Sequence, residues 1–103
     1  MINILIIEDE EPAAKRLNKL LHEIDPSINV LEQIVSVSTS IEWLKNHNSP
    51  DLIFSDIQLS DGISFEIFKT MQLTCPVIFT TAYDQYAIEA FKVNSIDYLL
   101  KPI

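Results

Sequence analysis

Five short apolar runs, alternating with segments of helical period, constrain this chain more than any other feature. They fall at residues 4–7, within 29–37, and at 52–55, 77–80 and 96–100. Short, strongly apolar runs suit strands buried on both faces, and the helical segments between them supply the crossovers that a parallel sheet needs. Pro12 fits the first turn of a helix, where its missing N–H costs nothing. Ala13, Leu17, Leu20, Leu21 and Ile24 then recur at helical spacing as one apolar stripe, and Asp25-Pro26 ends it. The second strand is interrupted by Glu32 and Gln33, as an edge strand would be. Ser38, Thr39 or Ser40 is expected to cap a second helix carrying Ile41, Trp43 and Leu44. After a loop at 58–62, a third helix turns Phe65, Phe68 and Met71 inward, and a fourth, capped by Asp84, puts Ala87, Ile88 and Phe91 on one face.

With 103 residues the chain holds one compact core, so a single domain is expected. Its net charge of -8 would repel a phosphate backbone, which argues against nucleic-acid contact by this segment. Gly62 is the only glycine, and glycine-rich phosphate cradles need several. Walker-type and Rossmann dinucleotide sites are excluded on that ground. The single Cys75, the lack of a signal-like start and the lack of any membrane-length apolar run point to a reducing, cytoplasmic setting. His22 and His47 read as surface residues.

In an open parallel sheet, functional groups gather beyond the carboxyl ends of the strands. Here those ends carry Glu8 and Asp9, then Asp56, Thr81 and Lys101. Three converging carboxylates repel one another unless a cation joins them, and magnesium prefers a few carboxylates plus waters and phosphate oxygens. Beside such an ion Asp56 becomes a plausible nucleophile toward phosphorus, since carboxylates can form acyl phosphates. The Lys101 ammonium and the Thr81 hydroxyl would contact the other oxygens of the transferring group. Glu10 and Glu11 read as favourable charges near a helix N-terminus only.

The segments "ILIIEDEEPAAKRL", "PDLIFSDIQLSDG", "VIFTTAYDQYAIEAF" and "IDYLLKPI", in this order and spacing, resemble the receiver domains of bacterial two-component response regulators over essentially the whole chain. The stretch 81–103 is most similar to receivers of regulators with a LytTR-type DNA-binding domain. The resemblance implies a flavodoxin-like (CheY-like), doubly wound α/β fold with a five-stranded parallel sheet of order 2-1-3-4-5. It implies Asp56 as phosphoacceptor, Mg2+ held by Asp9, Asp56 and the backbone carbonyl of Gln58, and Glu8 assisting through water. It also implies Thr81 and Tyr98 as a switch pair, Lys101 as the phosphate-binding lysine and a cis bond before Pro102. A sensor histidine kinase would donate the phosphoryl group, and a homodimer would form on activation. DNA would be contacted only through a further C-terminal domain, with no membrane contact.

This chain departs from the family pattern at Glu8, where many receivers have Asp, and in stopping before the family's fifth helix. The expectation is therefore a receiver domain over residues 1–103 that lacks its final helix and exposes apolar surface beside the first. The reading is of a signalling switch, not an enzyme. An aspartyl-nucleophile phosphatase of related architecture would need a second Asp two residues after the nucleophile as general acid, and Gln58 cannot supply a proton there. A flavin-binding protein would need a Ser, Thr and Gly-rich loop where this chain has acids.

Overall fold

The computed structural model describes residues 2–71, 75–81 and 95–101, with backbone only for 95–100. The elements are β1 (Asn3–Ile7), α1 (Glu11–Ile24), β2 (Asn29–Ile34), α2 (Val37–Asn46), β3 (Leu52–Asp56), β4 (Gln58–Leu59), β5 (Gly62–Ile63), α3 (Phe65–Thr70), β6 (Val77–Thr81) and β7 (Ser95–Leu100). Five of the strands form one sheet in the order β2-β1-β3-β6-β7, and all of its pairings are parallel. Counting only those strands, this is the expected order 2-1-3-4-5, and the fold is flavodoxin-like α/β. The short strands β4 and β5 pair antiparallel where the sequence suggested a loop. The expected fourth helix and Pro102 lie outside the described residues.

Strand side chains alternate between faces, and here both faces are buried. Leu5, Ile7, Ile53, Val77 and Phe79 point to one side, where they meet Leu44 of α2 and Phe65 and Ile67 of α3. Phe79 packs edge-to-face with two rings, Phe65 at 5.0 Å and Phe68 at 5.5 Å between centroids. Cys75 is buried in the same cluster. Ile4, Ile6 and Phe54 point to the other side, against Ala14 and Leu21 of α1, with Leu17 and Ile78 packed around them.

Two details of the helices differ from expectation. The inward stripe of α1 runs through Ala14, Leu17 and Leu21, while Ile24 is 79% exposed. Spacings of three and four fit more than one stripe on a helix, and only contact with the sheet selects the rotation. The cap of α2 is Ser36, whose extended backbone leaves its Oγ free to accept from the Thr39 N–H at 3.1 Å. Ser38, Thr39 and Ser40 all lie inside the helix.

His22 has a structural role that its exposure conceals. Its Nδ1 lies 2.9 Å from the carbonyl oxygen of Asn18 and its Nε2 3.0 Å from that of Ile28; with the proton on Nε2 the ring donates to Ile28 and ties the end of α1 to the entry of β2. One lost hydrogen bond of this kind is worth about 1 kcal/mol. His22→Ala is expected to lower unfolding free energy by that amount in a urea titration, with the slope unchanged.

Candidate phosphoryl-acceptor site

Parallel pairing of β1 with β3 and of β3 with β6 aligns their carboxyl ends along one edge of the sheet. Glu8 leaves β1 there, anchored by its N–H to the Ile34 carbonyl at 2.8 Å. Asp56 ends β3, Thr81 ends β6 and Lys101 follows β7, its N–H bonded to the Thr81 carbonyl at 2.6 Å. A cleft of about 310 Å³ opens between these ends, walled by Asp9, Glu10, Asp56, Gln58, Leu59, Thr81 and Lys101.

Lys101 is the hinge of the charge arrangement. Its Nζ lies 2.6 Å from Glu8 Oε1 and 3.1 Å from Asp56 Oδ2. Burial opposes its charge, yet the hydrogen bonds and charges of Glu8 and Asp56 outweigh that and hold its pKa above 10.5. The second oxygen of Glu8 accepts the Glu10 N–H at 3.1 Å, so both carboxylate oxygens of Glu8 are engaged. Asp56 is 6% exposed and accepts from the Gln58 N–H at 3.3 Å on its other oxygen. Thr81 is 1% exposed beside them.

One ammonium faces several carboxylates. Among the described residues, Glu8, Asp9 and Glu10 have carboxylate oxygens within 4.8 Å of one another. Burial first, and then the neighbouring Glu8 charge, push the Asp9 carboxyl above its ordinary 3.8. Glu10 therefore belongs to the acidic cluster, which its reading as a helix-end charge did not foresee. The donors are all hard oxygens on an open cleft, which suits a divalent cation such as magnesium.

The sign of the Asp9 shift gives a pH prediction. A carboxyl with a raised folded pKa binds protons more readily folded than unfolded, so stability rises as pH falls through that raised value toward 3.8. Below that range the order reverses, because Asp25 and Asp61 have lowered values and lose their stabilising contribution as they protonate. Urea midpoints of chelator-treated protein are expected to increase from neutral to mildly acidic pH, and added magnesium to flatten the increase.

Of the residues singled out from sequence, Asp9, Asp56, Gln58, Thr81 and Lys101 line one cleft, and Glu8 joins it through Lys101. Tyr98 sits on β7 opposite Phe79 of β6, with its side chain outside the described residues. The flanking hairpin turns at Ser60 and Asp61 and enters β5 at Gly62, whose φ of +150° is a conformation side-chain-bearing residues rarely adopt. Asp61, just before it, accepts hydrogen bonds from the Val37 and Ser38 N–H groups at the start of α2.

The acidic cleft, with a buried Asp at the end of the central strand and a Lys after the last, lies beyond the carboxyl ends of a parallel sheet, the edge at which open α/β folds of this class place their functional groups. The chain belongs to the response regulator receiver domain family, whose model matches residues 4–103. Within that family it is similar to the sensory transduction protein LytT of Bacillus anthracis, with 41% identity over 99% of this chain and 42% of the relative. LytT of Bacillus subtilis is 35% identical over 99% of this chain and 43% of its own length. The chain thus spans roughly two fifths of the relatives it matches. Among solved structures, it resembles a two-component response regulator from Clostridium difficile, with a TM-score of 0.85 and 30% identity over all of this chain and 85% of that one. The response regulatory domain of mrkE from Klebsiella pneumoniae gives a TM-score of 0.88 and 25% identity over 99% and 84%. Among the described residues, no helix is long and apolar enough to cross a membrane.

Proposed function

We propose that this receiver domain accepts a phosphoryl group on Asp56 from a sensor histidine kinase and passes the signal to an output domain of a longer protein. The observation that carries this reading is the position of Asp56: buried at the end of the central strand, beside an acidic cluster and 3.1 Å from the Lys101 ammonium. An Asp56 carboxylate oxygen attacks the phosphorus of a phosphohistidine. The P–O bond forms as the P–N bond breaks, and the electron pair leaves on the imidazole nitrogen.

Asp9, Asp56 and the backbone carbonyl of Gln58 would hold magnesium, with Glu8 assisting through water, and the ion would supply positive charge to offset the transferring oxygens. Lys101 adds a second positive charge. It already contacts Asp56, so a small movement brings its ammonium to a phosphoryl oxygen. Thr81 is proposed to turn its hydroxyl to another of those oxygens, and Tyr98 to move inward as it does. Such a displacement would bias a two-state equilibrium toward a homodimer. Contact with DNA would belong to a further domain, and the whole would work in the cytoplasm. A cytoplasmic switch of this kind needs no turnover to signal.

The test is incubation with magnesium and acetyl phosphate, followed by intact mass and Trp43 fluorescence. One phosphoryl group per chain is expected. A chain that stays unlabelled would remove the reading.

A further inference from the structure

The hairpin that walls the cleft is tied to a helix far from it in sequence. Gln58 faces the cleft, and its partner in the hairpin is Ile63, while Leu59 pairs with Gly62 and is buried in the core. At the tip stands Asp61. Its Oδ1 accepts the Val37 N–H at 2.7 Å and its Oδ2 accepts the Ser38 N–H at 3.2 Å. These are two of the first N–H groups of α2, which have no partner inside the helix. Ser36 satisfies the next one, at Thr39. The hairpin backbone also lies close to this turn, since a side chain begun at Gly62 would meet Val37 Cγ2 at 3.7 Å.

Asp61 is exposed to solvent, so its two bonds contribute little to overall stability compared with the same bonds in a dry interior. Their consequence is geometric. They join segments 24 and 23 residues apart, and one of those segments carries the Gln58 backbone. Negative charge is also favoured at that helix end, which holds the carboxylate in place.

We propose that Asp61 is a positioning residue of the phosphoryl-acceptor site, clamping the Gln58–Leu59 wall to the first turn of α2 so that the Gln58 carbonyl is held for the cation. This rests on the function proposed above. It separates Asp61 from Ser36: both cap α2, but only Asp61 connects that helix to the cleft.

The test compares Asp61→Ala with Ser36→Ala in the full chain. In metal-free protein, hydrogen exchange at amides 58–63 is expected to be about fivefold to tenfold faster in Asp61→Ala, the scale of an ordinary hydrogen bond, since the two bonds lost are exposed to solvent. In Ser36→Ala those amides keep their protection, while amides of the first turn of α2 lose it. Titration with magnesium, followed by Trp43 fluorescence, is expected to show binding about tenfold weaker in Asp61→Ala and unchanged in Ser36→Ala, the lower end of what outer-shell partners contribute. Asp61→Asn keeps one oxygen acceptor and is expected to fall between, and it carries the comparison if Asp61→Ala does not fold. Equal exchange at 58–63 in Asp61→Ala and wild type, or equal loss in both alanine variants, would overturn the proposal. Wild type that cannot be labelled at Asp56 would instead defeat the function it rests on, and the proposal with it. Wild type that is labelled while its hairpin is indifferent to Asp61 would defeat the proposal alone.

Discussion

Asp56→Asn is expected to abolish labelling by acetyl phosphate, lowering the rate by roughly 10⁴-fold or more, the scale on which removing a nucleophile acts. The substitution replaces an anionic oxygen by a neutral amide of nearly the same shape. The change adds no volume at the end of β3, where the side chain is 8% exposed, but an amide that keeps its oxygen on the Gln58 N–H turns its nitrogen, a donor, toward the Lys101 ammonium, so that contact is lost. The Gln58 N–H keeps an acceptor in the amide oxygen. What is lost is nucleophilicity and one unit of negative charge. Intact mass before and after incubation reads the first. Labelling that persists at wild-type rate would move the acceptor to another residue and dismantle the proposed chemistry.

Lys101→Ala is expected to lower unfolding free energy by about 2 to 3 kcal/mol at neutral pH in metal-free protein, somewhat less than removal of a partner from a fully buried pair. The reduction relative to a fully buried pair follows from the lysine side chain being 20% exposed. Glu8 and Asp56, at 6% and 8%, are left facing one another without the cation between them. The deficit should shrink on adding magnesium, which returns positive charge to the pair. In wild type the same pairings act at the other end of the scale. A lysine whose folded pKa is raised stabilises fully below 10.5 and loses that contribution as pH rises through the raised value. Urea midpoints of the variant at neutral pH, with and without magnesium, measure the first effect, and wild-type midpoints carried above pH 10.5 measure the second. A variant as stable as wild type at neutral pH would show that the paired carboxylates are hydrated well enough to dispense with the lysine.

Much of the architecture was legible in the residue pattern. The runs beginning at Ile4, Leu52 and Val77 are buried strands, Pro12 and Asp25 bound α1 within its first and last turns, and Phe65 and Phe68 face inward. The residues at the strand ends could be chosen with equal directness, since parallel strands joined by crossovers bring their carboxyl ends to one edge. Hairpin β4-β5 was less legible, because two-residue strands leave no periodicity to read. Ile57 and Ile67, both fully buried, passed unnoticed between better-marked neighbours.

The order and chemical type of residues in the chain determined which groups meet at the cleft, because connectivity and strand direction follow from local pattern. Only the tertiary structure decided how they pair. Glu8 reaches Lys101 across 93 positions, Glu10 turns toward Asp9, Asp61 caps a helix begun 24 residues earlier, and Ile24 faces water. Each depends on the rotation of a helix or the rotamer of one side chain. Those small angles are set by the packing of distant segments against one another, which no stretch of sequence contains by itself.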